Sequence, residues 1–323
     1  MGTSKSIIRK SGTKIGRIFF SQGGKQIAGK KRKIKTCLGQ VTLSQKQGKK
    51  LNLRAKTQLS PALEKCCLRL SAQSSYQKTE ENLNTLLGIQ VSKSSLHRLV
   101  QKVELPLAQA ENKVDSASID GGKIRVRSKK TGSGEWRDYK AVNLHHNCCE
   151  AFFQKPEKLQ NWSEQQLLSP IFNCLGDGHD GIWNIAKNFG GTKVVIKREI
   201  LDWYHLMENL HKVKGSKKRE MKVKTLLWIG EVDKAISEFK ELKKHQAKCF
   251  QNYLNKHSQR IPNYEKYQRY GIEIGSGTIE STIKQIGVRV KIAGAIWKTE
   301  NVEQILRLRC AYLNNSQCLS ICA

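Results

Sequence analysis

The stretch Gly275-Ser276-Gly277-Thr278-Ile279-Glu280-Ser281-Thr282-Ile283-Lys284-Gln285-Ile286 reads as a helix that carries an acid. Ile279, Ile283, Ile286 and Val290 recur at helical spacing, so one stripe faces a core and Glu280 lies beside it. Ser276 stands where an N-cap belongs, which puts Glu280 early in the helix, where the backbone dipole favours negative charge. One carboxylate on a basic chain acquires meaning only when others converge on it. Two upstream Asp-Gly pairs, Asp120-Gly121 and Asp177-Gly178, are the candidates. An isolated Asp-Gly usually marks a turn, so their placement among strands matters.

Upstream of the acid helix, strand signals cluster at 116–120, 124–127, 136–144 and 150–153, a β-meander with a turn at 128–134. A further apolar strand, 171–176, ends at Asp177. Ile182, Ile185, Ala186 and Phe189 then give a helix that Gly190-Gly191 stops, and residues 194–201 give another strand. Asp202 begins a helix with Leu206, Leu210 and Val213 on one face. Antiparallel strands followed by alternating helices and strands describe an α/β fold with a ribonuclease-H-like mixed sheet, on fold-level analogy. Residues 217–228 and 232–255 read as helices, an all-helical insertion over 206–270. A last helix at 299–313 turns Val302, Ile305, Leu306 and Leu308 inward. Asp120 then lies at the first strand, Asp177 at the end of a later central one, and Glu280 on a late helix crossing the sheet, with the strand ends as the natural ligand site. Asp180 competes with Asp177 but reads as the cap of the Ile182 helix. Asp115 is the rival of Asp120.

The chain has 323 residues, enough for two or three units at roughly 100–200 residues per domain. Lys and Arg number 58 against 27 Asp and Glu, a formal charge of +31. Such an imbalance points to a polyanionic partner, nucleic acid first. No apolar run of about 18 residues occurs, and the start Met1-Gly2-Thr3-Ser4-Lys5 lacks the apolar core of a secretory signal, so a cytoplasmic protein with no membrane role is expected. Ten cysteines include no Cys-x-x-Cys pair, which leaves a zinc site unsupported and makes them buried thiols.

Residues 1–59 form a basic N-terminal region without acids, suited to non-specific phosphate contact. Residues 60–114 read as a helical, helix-turn-helix-like DNA-binding region. Leu83, Leu86 and Leu87 lead to Gly88, which ends one helix. Ser92 caps the next, with Leu96, Leu99, Val100 and Val103 inward and Lys93, Ser95, Arg98 and Lys102 outward, where donors meet base edges and phosphates. After Pro106, residues 107–114 read as a helical linker. The core's first part is then 115–205, its second part 271–314, and 315–323 a frayed C-terminus.

Three converging carboxylates repel unless a divalent cation neutralises them. Magnesium, or manganese, prefers such oxygen ligands, and a pair of ions stabilises both the attacking and leaving oxygens of a phosphodiester displacement. Water as nucleophile gives hydrolysis; a 3′-hydroxyl gives strand transfer. Asp202 and His205, three residues apart on a helix face, either contact that site or the DNA, or are a cap and a packed histidine. Trp297 either stacks on an extruded base or fills the interior.

Asp120-Gly121-Gly122-Lys123, Gly134-Glu135-Trp136-Arg137-Asp138-Tyr139, Leu175-Gly176-Asp177-Gly178-His179-Asp180-Gly181, Ile200-Leu201-Asp202-Trp203-Tyr204-His205 and Gly275-Ser276-Gly277-Thr278-Ile279-Glu280-Ser281 together resemble bacterial insertion-sequence DDE transposases, nearest to the ISKra-four family and related to Mutator-like enzymes. The resemblance runs from about residue 60 to 314. It implies Asp120, Asp177 and Glu280 as a metal-binding catalytic triad, with Asp202 and His205 as accessory residues where Mutator-like relatives carry a cysteine or acid and then a histidine. Arg289 and Lys291 would track DNA. The implied partners are terminal inverted repeats, target DNA and further copies of the chain. A ribonuclease-H-like nuclease without strand transfer, or an inactive DNA-binding protein, are the alternatives.

Overall fold

The computed structural model describes residues 31–54, 57–128 and 133–320. Residues 1–30 of the basic region, 129–132 of the expected hairpin turn and 321–323 lie outside them. The chain divides into two compact units, Met1–Pro106 with Ala311–Ala323, and Leu107–Cys310.

In the first unit, β1 (Lys31–Thr36) and β2 (Gly39–Ser44) form an antiparallel hairpin. Four helices follow: α1 (Gln45–Lys50), α2 (Pro61–Ser71), α3 (Tyr76–Leu87) and α4 (Lys93–Lys102). Their ends are chemically marked. The Ser60 and Ser92 side chains accept the backbone N–H groups of Leu63 and Ser95, and Gly88 ends α3 at φ 65°, ψ 23°, a left-handed conformation that glycine adopts without cost. Leu63, Cys67, Leu83 and Leu96 are buried together as a small core.

The second unit is mixed α/β, built on a five-stranded sheet in the order β5-β4-β3-β6-β7. Its strands are β3 (Val114–Arg127), β4 (Gly134–Leu144), β5 (Cys148–Phe153), β6 (Leu168–Gly176) and β7 (Ile196–Leu201). β4 pairs antiparallel with β3 and β5, whereas β6 runs parallel to β3 and β7 parallel to β6. Parallel neighbours need crossovers, supplied by α5 (Pro156–Gln165) and α6 (Asp180–Asn188). Ile119, Val142, Phe172, Leu175, Trp162 and Ile182 form the core of this unit together with later helices.

Two expected strands at 116–127 are one. β3 continues through Asp120-Gly121-Gly122, so this Asp-Gly is extended strand rather than turn. The reason lies across the sheet, where the antiparallel ladder with β4 runs unbroken through these residues and the Tyr139 ring fills the space beside Gly122, 2.2 Å from where a Cβ would stand. The expected helical linker at 107–114 is not helical either. Its backbone N–H groups are taken by side chains from the sheet unit: Ala108 donates to Glu150 (3.0 Å), Ala110 to Gln166 (2.9 Å) and Glu111 to Asn147 (2.9 Å).

Beyond β7 every described element up to residue 269 is helical: α7 (Trp203–His211), α8 (Lys217–Trp228), α9 (Val232–Ser237), α10 (His245–His257), a 3-10 turn and α11 (Tyr264–Arg269). The single run read at 232–255 breaks between α9 and α10, because a turn at Phe239 folds its ring against Phe250 with centroids 5.5 Å apart. α12 (Gly277–Val290) then packs across β3 and β4, and α13 (Thr299–Leu313), with Val302, Ile305, Leu306 and Leu308 buried, is followed by a 3-10 turn at Gln317–Leu319. Among the described residues no helix is long and apolar enough to cross a membrane.

Candidate active site

Alternate strand residues share a face, and cross-strand partners share it too. Asn143 of β4 donates to Thr282 of α12 at 2.9 Å. Asp120 is opposite Ala141, two residues from Asn143, so Asp120 lies on the face that α12 covers. Its carboxylate accepts the Gly121 N–H at 2.5 Å. Burial raises the Asp120 pKa; the Gly121 bond opposes this, the Asp177 charge adds to it, and His205 and Lys140 oppose it. The charge of one expected acid, Asp177, therefore reaches the other, Asp120, across the β3–β6 pairing, together with those of His205 and Lys140.

Asp177 directly follows β6. A Cβ on Gly176 would come within 2.7 Å of Ile182, so α6 packs closely behind the strand end. The next residue, Gly178, has φ 100°, and a Cβ there would lie 2.9 Å from the Tyr253 hydroxyl of α10. Here the Asp-Gly pair does make a turn: Asp177 Oδ1 accepts the His179 N–H at 2.8 Å. The expected cap of α6 is corrected, since His179 Nδ1 accepts the Gly181 N–H at 3.0 Å and Asp180 is the first helical residue. Asp180 pairs with Lys256 at 2.7 Å, and that bond lowers its pKa. Asp115 is exposed and accepts the Ser116 hydroxyl at 3.0 Å.

Asp202 is the most heavily bonded acid in this region. It is buried and caps α7, with Oδ1 accepting from Tyr204 N (2.6 Å) and His205 N (3.0 Å). Oδ2 accepts the Ser276 N–H at 2.5 Å and the Ser276 hydroxyl. Its own N–H donates to Gly176 O at 2.9 Å, and Trp203 N donates to Ile274 O at 3.0 Å. Burial alone would raise the Asp202 pKa, but the bonds from His205 and Ser276 carry it below the usual range. Asp202 thus joins the end of β6, beside Asp177, to the start of α12, which carries Glu280. Ser276 holds the expected N-cap position of α12, its carbonyl accepting the Glu280 N–H at 3.0 Å, but its side chain makes no capping bond and is committed to Asp202.

His205 Nδ1 lies 3.5 Å from Asp202 Oδ2. The bond to Asp202 raises the His205 pKa to about 9, with burial working against it and the charges of Asp202, Glu208 and Asp177 adding to it. The folded pKa lies above the unfolded value near 6.5, so this contribution to stability is complete below pH 6.5 and disappears as pH rises through about 9. Thermal melts of wild type and His205→Gln should therefore converge above about pH 9 and separate below about pH 6.5, with the wild type higher. Parallel curves across that window would remove the charged-pair assignment.

A second anchor holds the approach to α12. Glu273 lies 2.9 Å from His145 Nδ1 and 3.1 Å from His146 Nε2, and His145 Nε2 is 2.7 Å from the Ser118 hydroxyl. Burial pushes the His145 pKa down to about 4, so this is a neutral imidazole tie.

Glu280 is exposed, in the first turn of α12, and paired with Lys284 one turn on at 2.5 Å. The structure brings together Asp120, Asp177, Asp202 and His205, and leaves the Glu280 carboxylate on Lys284. Among the described residues no group of three His, Cys, Asp or Glu side chains is close enough to hold a metal ion.

The expected DNA-facing residues divide. Lys93, Arg98 and Lys102 are exposed on α4, and Ser95 is half-buried with its hydroxyl 3.0 Å from that of Ser92. Lys291 is exposed, but Arg289 is buried with its guanidinium 5.0 Å from the Trp297 ring centre, inside the fold rather than on its surface. Trp297 is half-buried, its indole N–H donating to Val290 O at 2.9 Å and its backbone bridging to Val126. Lys140 and Lys284 were not among the expected residues. The i,i+4 spacing of Glu280 and Lys284 is a visible signal for the second; the first becomes apparent only from the β3–β4 register. Compared with known proteins, the chain matches no family model and no curated sequence.

Proposed function

We propose that the second unit is a ribonuclease-H-like catalytic core that cuts DNA and joins strand ends as a transposase, with the first unit docking DNA through a helix-turn-helix. The observation that carries this reading is the placement of Asp120 on β3 and Asp177 just past the end of the adjacent parallel strand β6, beneath a helix whose first turn bears Glu280.

The donor set fits a hard divalent cation. Burial and the neighbouring Asp177 charge both disfavour an ionised Asp120, a conflict that a cation relieves, and carboxylate oxygens are the ligands magnesium prefers. Asp120 and Asp177 would hold it, with Glu280 as the third ligand once separated from Lys284. When bound, such an ion supplies the charge that stabilises attacking and leaving oxygens in phosphodiester displacement. The chain's own residues do the rest. Asp202 fixes the helix that carries Glu280, and His205, protonated at neutral pH, and Lys140 supply positive charge beside the acid pair. The charge of +31 and the exposed Lys93, Arg98 and Lys102 on α4 favour a nucleic-acid partner.

The test is a plasmid assay with purified protein, magnesium and DNA carrying the inverted repeats that flank the gene. Wild type is expected to give end cleavage and joined products, and Glu280→Gln neither. Cleavage without joining moves the reading to a nuclease; salt-sensitive binding without any nicking removes catalysis.

A further inference from the structure

A cavity of about 540 Å³ lies on the face of the sheet opposite α12, between β4, β5, α5 and α6. Its size is that of small-ligand sites, roughly 300–1,000 Å³. Phe152 and Leu159 contribute apolar wall, while Gln160, Asn184 and Asn188 bring amides to its lining. Trp136 lines it and is 56 % exposed, an aromatic surface that the packing of the described residues leaves uncovered. Asp138 and Lys140 follow Trp136 at alternate positions of β4 and line the cavity too.

Lys140 ties this cavity to the acid pair. Its ammonium lies 3.0 Å from the position a Cβ would take on Gly121 and 3.8 Å from that on Gly181. It thus stands between the residue after Asp120 and the start of α6, and its charge acts on Asp120. An aromatic plane, amides and a carboxylate that meet donor–acceptor edges, and a cation leading to the acids are together the chemistry of nucleobase recognition. Among the described lining residues, Arg137 and Lys155 are engaged by Glu135 (2.9 Å) and Glu303 (2.5 Å), and Lys140 is the cation that leads toward Asp120.

We propose that this cavity takes one unstacked nucleobase of a DNA strand held at the acid pair, with Trp136 stacking on the base. The inference rests on the DNA-processing reading of the acids but is tested separately from it. Full-length protein is titrated without metal against single-stranded oligonucleotides carrying 2-aminopurine at successive positions, followed by anisotropy and base fluorescence. Trp136→Ala is expected to weaken strand binding by roughly 5- to 100-fold and abolish the position-specific fluorescence change, while Trp136→Phe stays within about threefold of wild type. The salt dependence should keep its slope, because stacking releases no counterions. Asn184→Leu should alter preference among bases at that one position.

Equal binding by wild type and Trp136→Ala overturns the proposal, as does saturation by free deoxynucleoside monophosphates with no preference for a strand. A protein that uses Trp136 to bind but never cuts keeps this inference and loses the catalytic one. A protein that cuts and is indifferent to Trp136 does the reverse.

Discussion

Asp120→Asn is expected to lower magnesium-dependent DNA cleavage by roughly a hundred- to thousandfold or more, the scale on which groups that stabilise transition-state charge act. The substitution keeps an oxygen to accept the Gly121 N–H and removes only the charge. It should leave the fold intact. Burial and Asp177 raise the Asp120 pKa, and an acid whose folded pKa is raised loses stability as pH climbs through and above its ordinary range. Neutralising it therefore relieves a cost, and the melting temperature of Asp120→Asn at neutral pH should equal or exceed that of wild type. DNA affinity, measured without metal, should be unchanged or slightly tighter. A variant that folds normally and still cuts at the wild-type rate would remove Asp120 from the site.

Asp202→Ala should cost more stability than substitution of Asp120, Asp177 or Glu280. The carboxylate is buried and accepts from Tyr204, His205 and Ser276, so truncation uncaps α7 and strands several donors at once. Loss of a cap costs about 0.5–2 kcal/mol and each buried donor left unpaired about 1–3 kcal/mol; with partial relaxation a total of roughly 2–4 kcal/mol is expected. For a unit of this size that is a fall in melting temperature of about 5–15 °C. Cleavage should fall as well, because Asp202 sets the start of α12. Asp202→Asn should sit between, retaining one acceptor while turning an amide N–H₂ toward the Ser276 donors. Differential scanning calorimetry and the cleavage assay separate the two effects: wild-type stability in Asp202→Ala would refute the anchor.

The contrast between Asp202 and Asp120 shows what was legible in the residues. Helix periodicity identified the inward faces of α12 and α13, and Ser92 and Gly88 marked helix ends through local chemistry. The mixed α/β class was legible in the alternating strand and helix signals; the strand order was not. Pairings between distant residues were not legible. Nothing near Gly122 announces that the Tyr139 ring needs its space, so Asp120-Gly121 resembled a turn. Residues 107–114 carry a helix-compatible pattern, and partners supplied from far along the chain, Glu150, Gln166, Asn147 and Trp162, hold them in a non-helical course. Ser276 has the chemistry of a cap, but a buried carboxylate 74 residues away takes its side chain. Local physics made these readings reasonable; tertiary partners chose otherwise.

The helices between Asp202 and Ser276 leave the sheet and return at hydrogen-bonded positions 74 residues apart. Loop-closure entropy rises by only about 0.6 kcal/mol for each doubling of length, so the excursion beyond the first turns of α7 can grow or shrink at small cost while the return point stays fixed. The number of residues separating Asp177 from Glu280 is therefore a poor guide to kinship. Insertions and deletions should accumulate there over evolutionary time, and relatives are better sought by the short segments around Asp177, Asp202 and Ser276 than by an alignment of constant spacing.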